Sequence, residues 1–395
     1  MTPFLPDGEK LAAVREALPA TAAGIYLNAA AVGPLPAETH RAMAEQADRE
    51  LRVGRASPDD FLELGERMDE ARGVIAAVAR ADPASIVLTH STSEAMDVAT
   101  RAIDWRPGDR AVVGRLDRAG ALGALPSLPD RLGIELVEAG VGDDGGDEEH
   151  VLAAFDAAIV PGTRLVSIGH VDWTTGRRLP IGRIAELAHA RGALIAVDGS
   201  QAIGAIPVDV TRAAVDFYAI PAHKWLLGPE GMAALYVAPG VAVGDPSGQA
   251  SSSRRSELSG FGRAPVVGMA RSIAWLSMYV GLEWVHDRGS TLARSLADRL
   301  AAIPGVEVLT PSGAMATLVV FRVAGWSAEG ALDEVSRRSF AIFQTVPGDA
   351  LRVAVGFYNS EEELERFAAT VELVAAHTPE TIPARRTLTI IGDGG

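Results

Sequence analysis

The chain has 395 residues, 48% of them hydrophobic but only 5% aromatic, enough for two unequal domains with cores of Ala, Val, Leu and Ile. A formal net charge of −15 argues against nucleic acid or an anionic membrane as a general partner. The complete absence of cysteine excludes disulfides, thiolate metal sites, iron–sulfur clusters and a cysteine nucleophile. The eight histidines show no tight ligand pair, so no metal site is expected. No apolar run reaches the roughly 18–20 residues that span a bilayer, and residues 1–20 lack a signal-peptide layout, so a cytoplasmic protein is expected.

Residues 1–20 read as an N-terminal arm, with Lys10 on a solvated helix face, Asp7–Arg15. A large domain is expected over 21–285. Its apolar runs Ile86–Thr89, Ala111–Gly114, Leu165–His170, Ala193–Val197, Phe217–Ile220 and Ala233–Val237 read as strands. Amphipathic stretches at Ser93–Ile103, Asp147–Ala157 and Ile181–Arg191 lie between them. This alternation implies an α/β fold with a mainly parallel sheet, whose ligands bind beyond the carboxyl ends of the strands. Val243–Arg255, rich in Gly, Ser and Pro, reads as a loop, Pro265–Val285 as one long helix and Thr291–Ala302 as another. A small α+β domain over 286–378, joined by part of the N-terminal segment, is expected from strands Val306–Leu309, Thr317–Val323, Phe340–Thr345 and Leu351–Phe357 with helices Glu329–Arg338 and Glu361–Ala376. Residues 379–395 read as a tail in which Leu388–Ile391 is an optional edge strand.

The 36 basic residues include only two lysines, Lys10 and Lys224. Chemistry that needs a deprotonatable amine therefore has two side-chain candidates, since arginine stays charged. Lys224 stands in Ala222-His223-Lys224-Trp225-Leu226-Leu227-Gly228-Pro229-Glu230-Gly231, just after a strand. A lysine there commonly snorkels to solvent, but a partly buried one can carry pyridoxal 5′-phosphate (PLP) as a Schiff base. Asp198, in Val197-Asp198-Gly199-Ser200-Gln201, ends another strand. It either caps the next turn or faces the pyridine nitrogen of PLP, keeping that nitrogen protonated. Thr89-His90-Ser91-Thr92-Ser93-Glu94 runs from a strand into a helix, as an ordinary N-cap or as a seat for phosphate.

Taken together, these segments resemble the class V aminotransferase family of fold-type I PLP enzymes, which includes the cysteine desulfurases. The resemblance runs from Tyr26-Leu27-Asn28-Ala29-Ala30 to Leu351-Arg352-Val353 and Phe357-Tyr358-Asn359. It implies a fold-type I architecture with a seven-stranded-type sheet. It also implies that Gln201 bonds the cofactor's phenolic oxygen, that Thr92, Ser93 and His223 hold its phosphate, and that Arg352 grips the substrate α-carboxylate, with Asn28 beside the substrate. Trp173, in His170-Val171-Asp172-Trp173-Thr174-Thr175-Gly176, would line the ring's edge where desulfurases commonly carry Asn. Arg118 aligns with the histidine that stacks on the ring. Pro221 replaces a phosphate-binding serine, Ser259 in Ser259-Gly260-Phe261 stands where the family has the neighbouring subunit's Gly-Thr phosphate contact, and Arg263 is another source of phosphate binding.

Desulfurases pass sulfur to a mobile-loop cysteine, and here the cysteine is absent and Gln344–Leu351 is too short for that loop. The expected activity is therefore β-elimination from an amino acid, of C–S lyase type. Transamination and epimerisation are the alternatives, and a non-catalytic PLP-fold protein is a further one. The resemblance also implies a homodimer, with Ser252–Arg263 reaching the neighbouring subunit's phosphate.

Overall fold

A computed structural model describes residues 7–114, 122–141, 147–241 and 260–384 of the chain. After α1 (Asp7–Ala17), β1 (Ile25–Tyr26), α2 (Ala37–Val53) and α3 (Pro58–Ala79), the chain enters its main sheet. The strands of that sheet are β2 (Ile86–Thr89), β3 (Arg110–Val113), β4 (Glu135–Glu138), β5 (Thr163–Gly169), β6 (Leu194–Asp198), β7 (Phe217–Pro221) and β8 (Ala233–Val237). Helices α4 (Thr92–Arg101), α5 (Leu128–Leu132), α6 (Glu148–Ala158) and α7 (Ile181–His189) connect them. The seven strands lie in the order β2-β8-β7-β6-β5-β3-β4. All contacts from β7 through β4 are parallel, and β8 alone runs against both its neighbours.

Both faces of this sheet are covered, and the strands show why. Successive side chains point to opposite faces, and both sets are apolar. Val166, Ile168, Ile195, Val197, Tyr218 and Ile220 join one core, while Leu165, Ala196, Phe217 and Ala219 join another. Near-continuous apolar runs are what a parallel sheet between two helical layers requires. The α/β reading of the sequence and its mainly parallel sheet are thus both present.

After residue 260 come α8 (Arg263–Ala274), a π turn (Trp275–Val280) and α9 (Leu282–Ala301). Then follow β9 (Val306–Val308), β10 (Leu318–Val323), α10 (Ala328–Ser339), β11 (Ala341–Ile342), β12 (Gln344–Val346), β13 (Ala350–Ala354) and α11 (Glu361–Ala375). A second, antiparallel sheet has the order β12-β13-β10-β9, while β11 leaves it to pair in parallel with β1. Helix α9 serves both cores, with Val285 in the large one and Leu292, Leu296 and Leu300 in the small one.

Four expectations need correction. The helix expected over Pro265–Val285 is interrupted at Gly281, whose φ of 90° is outside helical space, and the stretch from Thr291 is the second half of a helix that begins at Leu282. The strand expected over Phe340–Thr345 is two strands, because Phe340 takes φ 58° and the chain changes partner at Phe343. Helices α2 and α3, and the edge strand β4 with its exposed Glu135 and Glu138, were not anticipated. Lys10 is not solvated: it is 6% exposed, with its ammonium 5.1 Å from the centre of the Trp284 ring. Arg15 on the same helix donates to Tyr358 O and to Glu363, which presses α1 onto the body. The stretches Val243–Arg255 and Leu388–Ile391 lie outside the described residues. Among the described residues no helix is long and apolar enough to cross a membrane.

His286 on α9 is 9% exposed. Burial pushes its imidazole down to about 4, with Asp287 opposing the shift and Arg80 reinforcing it. An unfolded histidine titrates near 6.5. Between these two values the unfolded chain takes up a proton that the native chain refuses, so stability is held above about pH 6.5 and lost as pH falls towards 4. The loss from one such group approaches about 1.4 kcal/mol per pH unit. His286→Gln should flatten this part of the stability profile when urea midpoints are compared at pH 7, 5.5 and 4.5. Parallel profiles for the two proteins would place the loss elsewhere.

Candidate active site

The carboxyl ends of β5, β6 and β7 lie side by side, with Gly169 opposite Asp198 and Asp198 opposite Ala219. Asp198 is half-buried at the end of β6, and its Oδ1 accepts from the backbone N–H of Ser200 at 2.8 Å. The turn after it can only be glycine: a Cβ on Gly199 would lie 2.1 Å from the Tyr218 ring and 2.7 Å from Ala219 O. Tyr218, fully buried on β7, pairs with His170 Nδ1 at 2.8 Å. Burial holds the His170 imidazole down to about 3, so it is neutral, and Arg178 reinforces this. Burial also pushes the Tyr218 phenol well up, helped by the negative charge of Asp198. The carboxylate is thus backed by two groups that stay uncharged.

Lys224 follows β7, half-buried, in a segment whose backbone is fixed from several sides. Gly33 N donates to His223 O at 2.7 Å, and a Cβ on Gly33 would lie 2.1 Å from Lys224 O. Leu227 N returns to Lys224 O at 3.2 Å with φ of 54°, and Gly228 N reaches Ala222 O at 2.7 Å. Gln201 is clamped between chain segments: its Nε2 donates to Ala30 O at 3.0 Å, and its Oε1 accepts from Trp225 Nε1 at 3.2 Å. The amide nitrogen uses one hydrogen on Ala30 O and carries a second, the kind of donor a phenolic oxygen accepts from.

The seat at the start of α4 is built as follows. Ser91 is the N-cap, accepting from Glu94 N, so Thr92 and Ser93 occupy the first helical turn. Backbone N–H groups there have no partner within the helix. Thr92 Oγ1 lies 3.2 Å from the buried Ser200 Oγ, which brings this seat against the Asp198 turn, while Ser93 is exposed. His90 is held by Glu94 through its backbone N–H and Nδ1, and its ring stacks on Phe261 at 4.3 Å. His223 Nδ1 is buried with no hydrogen-bond partner among the described residues. Burial and the adjacent Lys224 charge lower the His223 pKa, while Glu230 works against them. A buried imidazole nitrogen without a partner and the N–H groups of the first turn of α4 are each donors of the kind a phosphate group satisfies. The residues therefore fit PLP: Thr92 and His223 for phosphate, Gln201 for the phenolic oxygen, Asp198 for the ring nitrogen and Lys224 for the aldehyde carbon.

The remaining residues distribute as follows. Arg352 on β13 is 1% exposed, donates from Nη1 to Trp173 O at 3.0 Å, and sits 5.8 Å from the Trp173 ring centre. Asn28 bridges to Ala354 beside it. The Phe357-Tyr358-Asn359 turn is structural: Asn359 is fully buried and bonds Gly356 N and Tyr26 O. Arg263 donates to Arg55 O and Asp60 O. Arg118 and Ser259 lie outside the described residues. Sequence reasoning assigned nothing to Ser200 or Tyr218. The first stood inside the quoted Asp198 motif, whereas the hydroxyl of Tyr218 was masked by an otherwise apolar strand.

Strand-end geometry and donor set together define a fold-type I PLP-dependent enzyme. The chain belongs to the class V aminotransferase family, whose model matches residues 25–367. It is 29% identical to the isopenicillin N epimerase of Streptomyces clavuligerus, over 88% of this chain and 94% of that one. It is 26% identical to a probable cysteine desulfurase of Methanothermobacter thermautotrophicus, over 92% and 97% of the two chains. The fold is similar to that of C-DES, as a lysine-to-alanine variant with glycine covalently linked to its PLP cofactor (TM-score 0.83, 22% identity, 93% of this chain and 99% of that one). It is also similar to the cystine C–S lyase C-DES in complex with its reaction product cysteine persulfide (TM-score 0.82, 22% identity, 90% and 99%).

Borohydride reduction of the PLP-loaded protein should attach the cofactor to the peptide containing Lys224 and leave the Lys10 peptide unmodified, as read by mass spectrometry. A label on Lys10 would remove this assignment. Gly33→Ala should lower PLP retention by displacing the Lys224 backbone, read as cofactor lost on gel filtration.

Proposed function

We propose that the protein catalyses β-elimination from a sulfur-bearing α-amino acid and releases the sulfur fragment to solution. The observation that carries this reading is that the lysine, carboxylate and arginine of the site are all present, while 395 residues contain no cysteine to accept sulfur. When bound, PLP supplies an electron sink for the negative charge that develops at the substrate Cα. Asp198 keeps the ring nitrogen protonated, and Gln201 donates to the phenolic oxygen. Thr92 and His223, with exposed Ser93, hold the phosphate. Arg352 would bind the α-carboxylate, with Asn28 beside it, and so orient the substrate. Lys224 Nζ would be the base that removes the Cα proton. From an S-substituted cysteine, loss of the β-substituent as a thiol would leave aminoacrylate, which water hydrolyses to pyruvate and ammonia.

One observation favours a second reading. The similarity to an isopenicillin N epimerase covers 88% of this chain, and an epimerase returns the proton to Cα in place of losing the β-group. Incubation with an S-substituted cysteine in deuterium oxide separates the two. Stoichiometric pyruvate supports elimination, whereas deuterium at Cα with inverted configuration and no pyruvate supports epimerisation.

We also propose a homodimer. Leu51, Val53, Phe61 and Leu62, at the junction of α2 and α3, are 62–84% exposed, an unusual load of large apolar groups for one surface. Obligate interfaces bury roughly 2,000 Å² or more. Light scattering should return twice the chain mass, and a fully active monomer at low concentration would refute the proposal.

Arg352→Lys keeps the charge but loses the planar fork, so apparent substrate affinity should fall by about tenfold. Asp198→Ala should instead collapse turnover even where PLP remains bound, because the ring nitrogen loses its anionic partner. Steady-state kinetics on cofactor-saturated variants separate a KM effect from a kcat effect.

A further inference from the structure

Trp173 stands on the loop after β5, in the segment that lines the cofactor's side of the large domain, yet its indole packs towards the other sheet. It contacts the small apolar cluster of Val320, Val346 and Ala350, joined by Leu309. The loop beneath it is rigid. Asp172 Oδ1 accepts from Thr174 N at 2.7 Å, Thr174 Oγ1 at 2.6 Å and Thr175 N at 2.9 Å, and Gly176 N closes on Asp172 O. Gly176 itself has φ of 74°, and a Cβ there would lie 2.7 Å from Leu318 O on β10. The loop is thereby pressed against the small sheet at a fixed distance.

From that platform Trp173 reaches Arg352 twice. Its carbonyl accepts a hydrogen bond from Nη1 at 3.0 Å, and its ring stands 5.8 Å from the guanidinium carbon, within cation–π range. An arginine side chain loses substantial rotamer freedom when it is fixed, and a site that fixes it in advance spares that loss on binding. We infer that Trp173 is the positioning residue for Arg352, holding the guanidinium ready for the substrate α-carboxylate and linking the small sheet to the cofactor loop. This rests on the reading of Arg352 as the carboxylate fork. It assigns Trp173 to substrate recognition in place of the ring-edge cofactor contact that the family resemblance implies.

The test titrates PLP-loaded protein with an α-amino acid and with the matching primary amine that lacks the carboxylate, following the visible spectrum. Trp173→Leu keeps apolar packing but removes the π face, and it should weaken amino-acid binding by about fivefold while leaving amine binding within twofold. Trp173→Phe should restore amino-acid binding to within twofold of the unsubstituted protein. In turnover the Trp173→Leu deficit should fall on KM. Equal weakening of both ligands, or no weakening of either, would overturn the inference. Trp173→Met carries the same test if the leucine variant does not fold. Arg352→Lys is titrated in parallel: undiminished amino-acid binding in that variant removes the underlying reading of Arg352, independently of what the Trp173 variants do.

Discussion

The placement of Asp198 depends on a missing carbon atom. The Tyr218 ring occupies the volume into which any side chain at residue 199 would project, with 2.1 Å between the ring and an added Cβ. Two parallel strands can therefore end at the same level, one offering a carboxylate and the other leading to a lysine, with an aromatic floor sealed beneath them. The floor is polar only where Tyr218 meets His170, and burial keeps both of these uncharged. A charged neighbour there would pair with Asp198 and draw it away from any ligand. The neutral pair leaves the carboxylate to its backbone donor and to what binds above it.

Much of this arrangement was legible in the sequence because parallel sheets write plainly. Apolar runs such as Ile195–Val197 and Phe217–Ile220 must be buried on both faces, and the residues that follow them must be the ones that meet a ligand. Asp198 and Lys224 could be found that way, and the scarcity of lysine sharpened the second. Tertiary facts were less legible. Nothing in the local pattern shows that Lys10 is folded onto Trp284, since a polar helical segment reads the same whether or not a distant aromatic covers it. The break at Gly281 was hidden because hydrophobic periodicity continues across it. The helices before residue 80 carry enough charge on their outer faces to dilute their apolar stripes.

Departures from the family pattern lie beside the Asp198 and Lys224 segments, whose own residues match it. Pro221 removes a hydroxyl from the end of β7, while a buried hydroxyl at Ser200 stands 3.2 Å from Thr92. Trp173 stands where desulfurases commonly carry Asn, and it faces the arginine of the small sheet.

The burial of Lys10 has a consequence for how the protein meets its own cofactor. PLP in solution is an aldehyde that condenses with accessible primary amines, and most proteins present many. Here the side-chain amines number two, and one of them is sheltered beneath an indole. Apart from the chain terminus, Lys224 is then the amine open to free aldehyde, which leaves little scope for a background of adventitious adducts. Amine-directed crosslinkers and surface couplings face the same scarcity, with the chain terminus and Lys224 as the amines left to them.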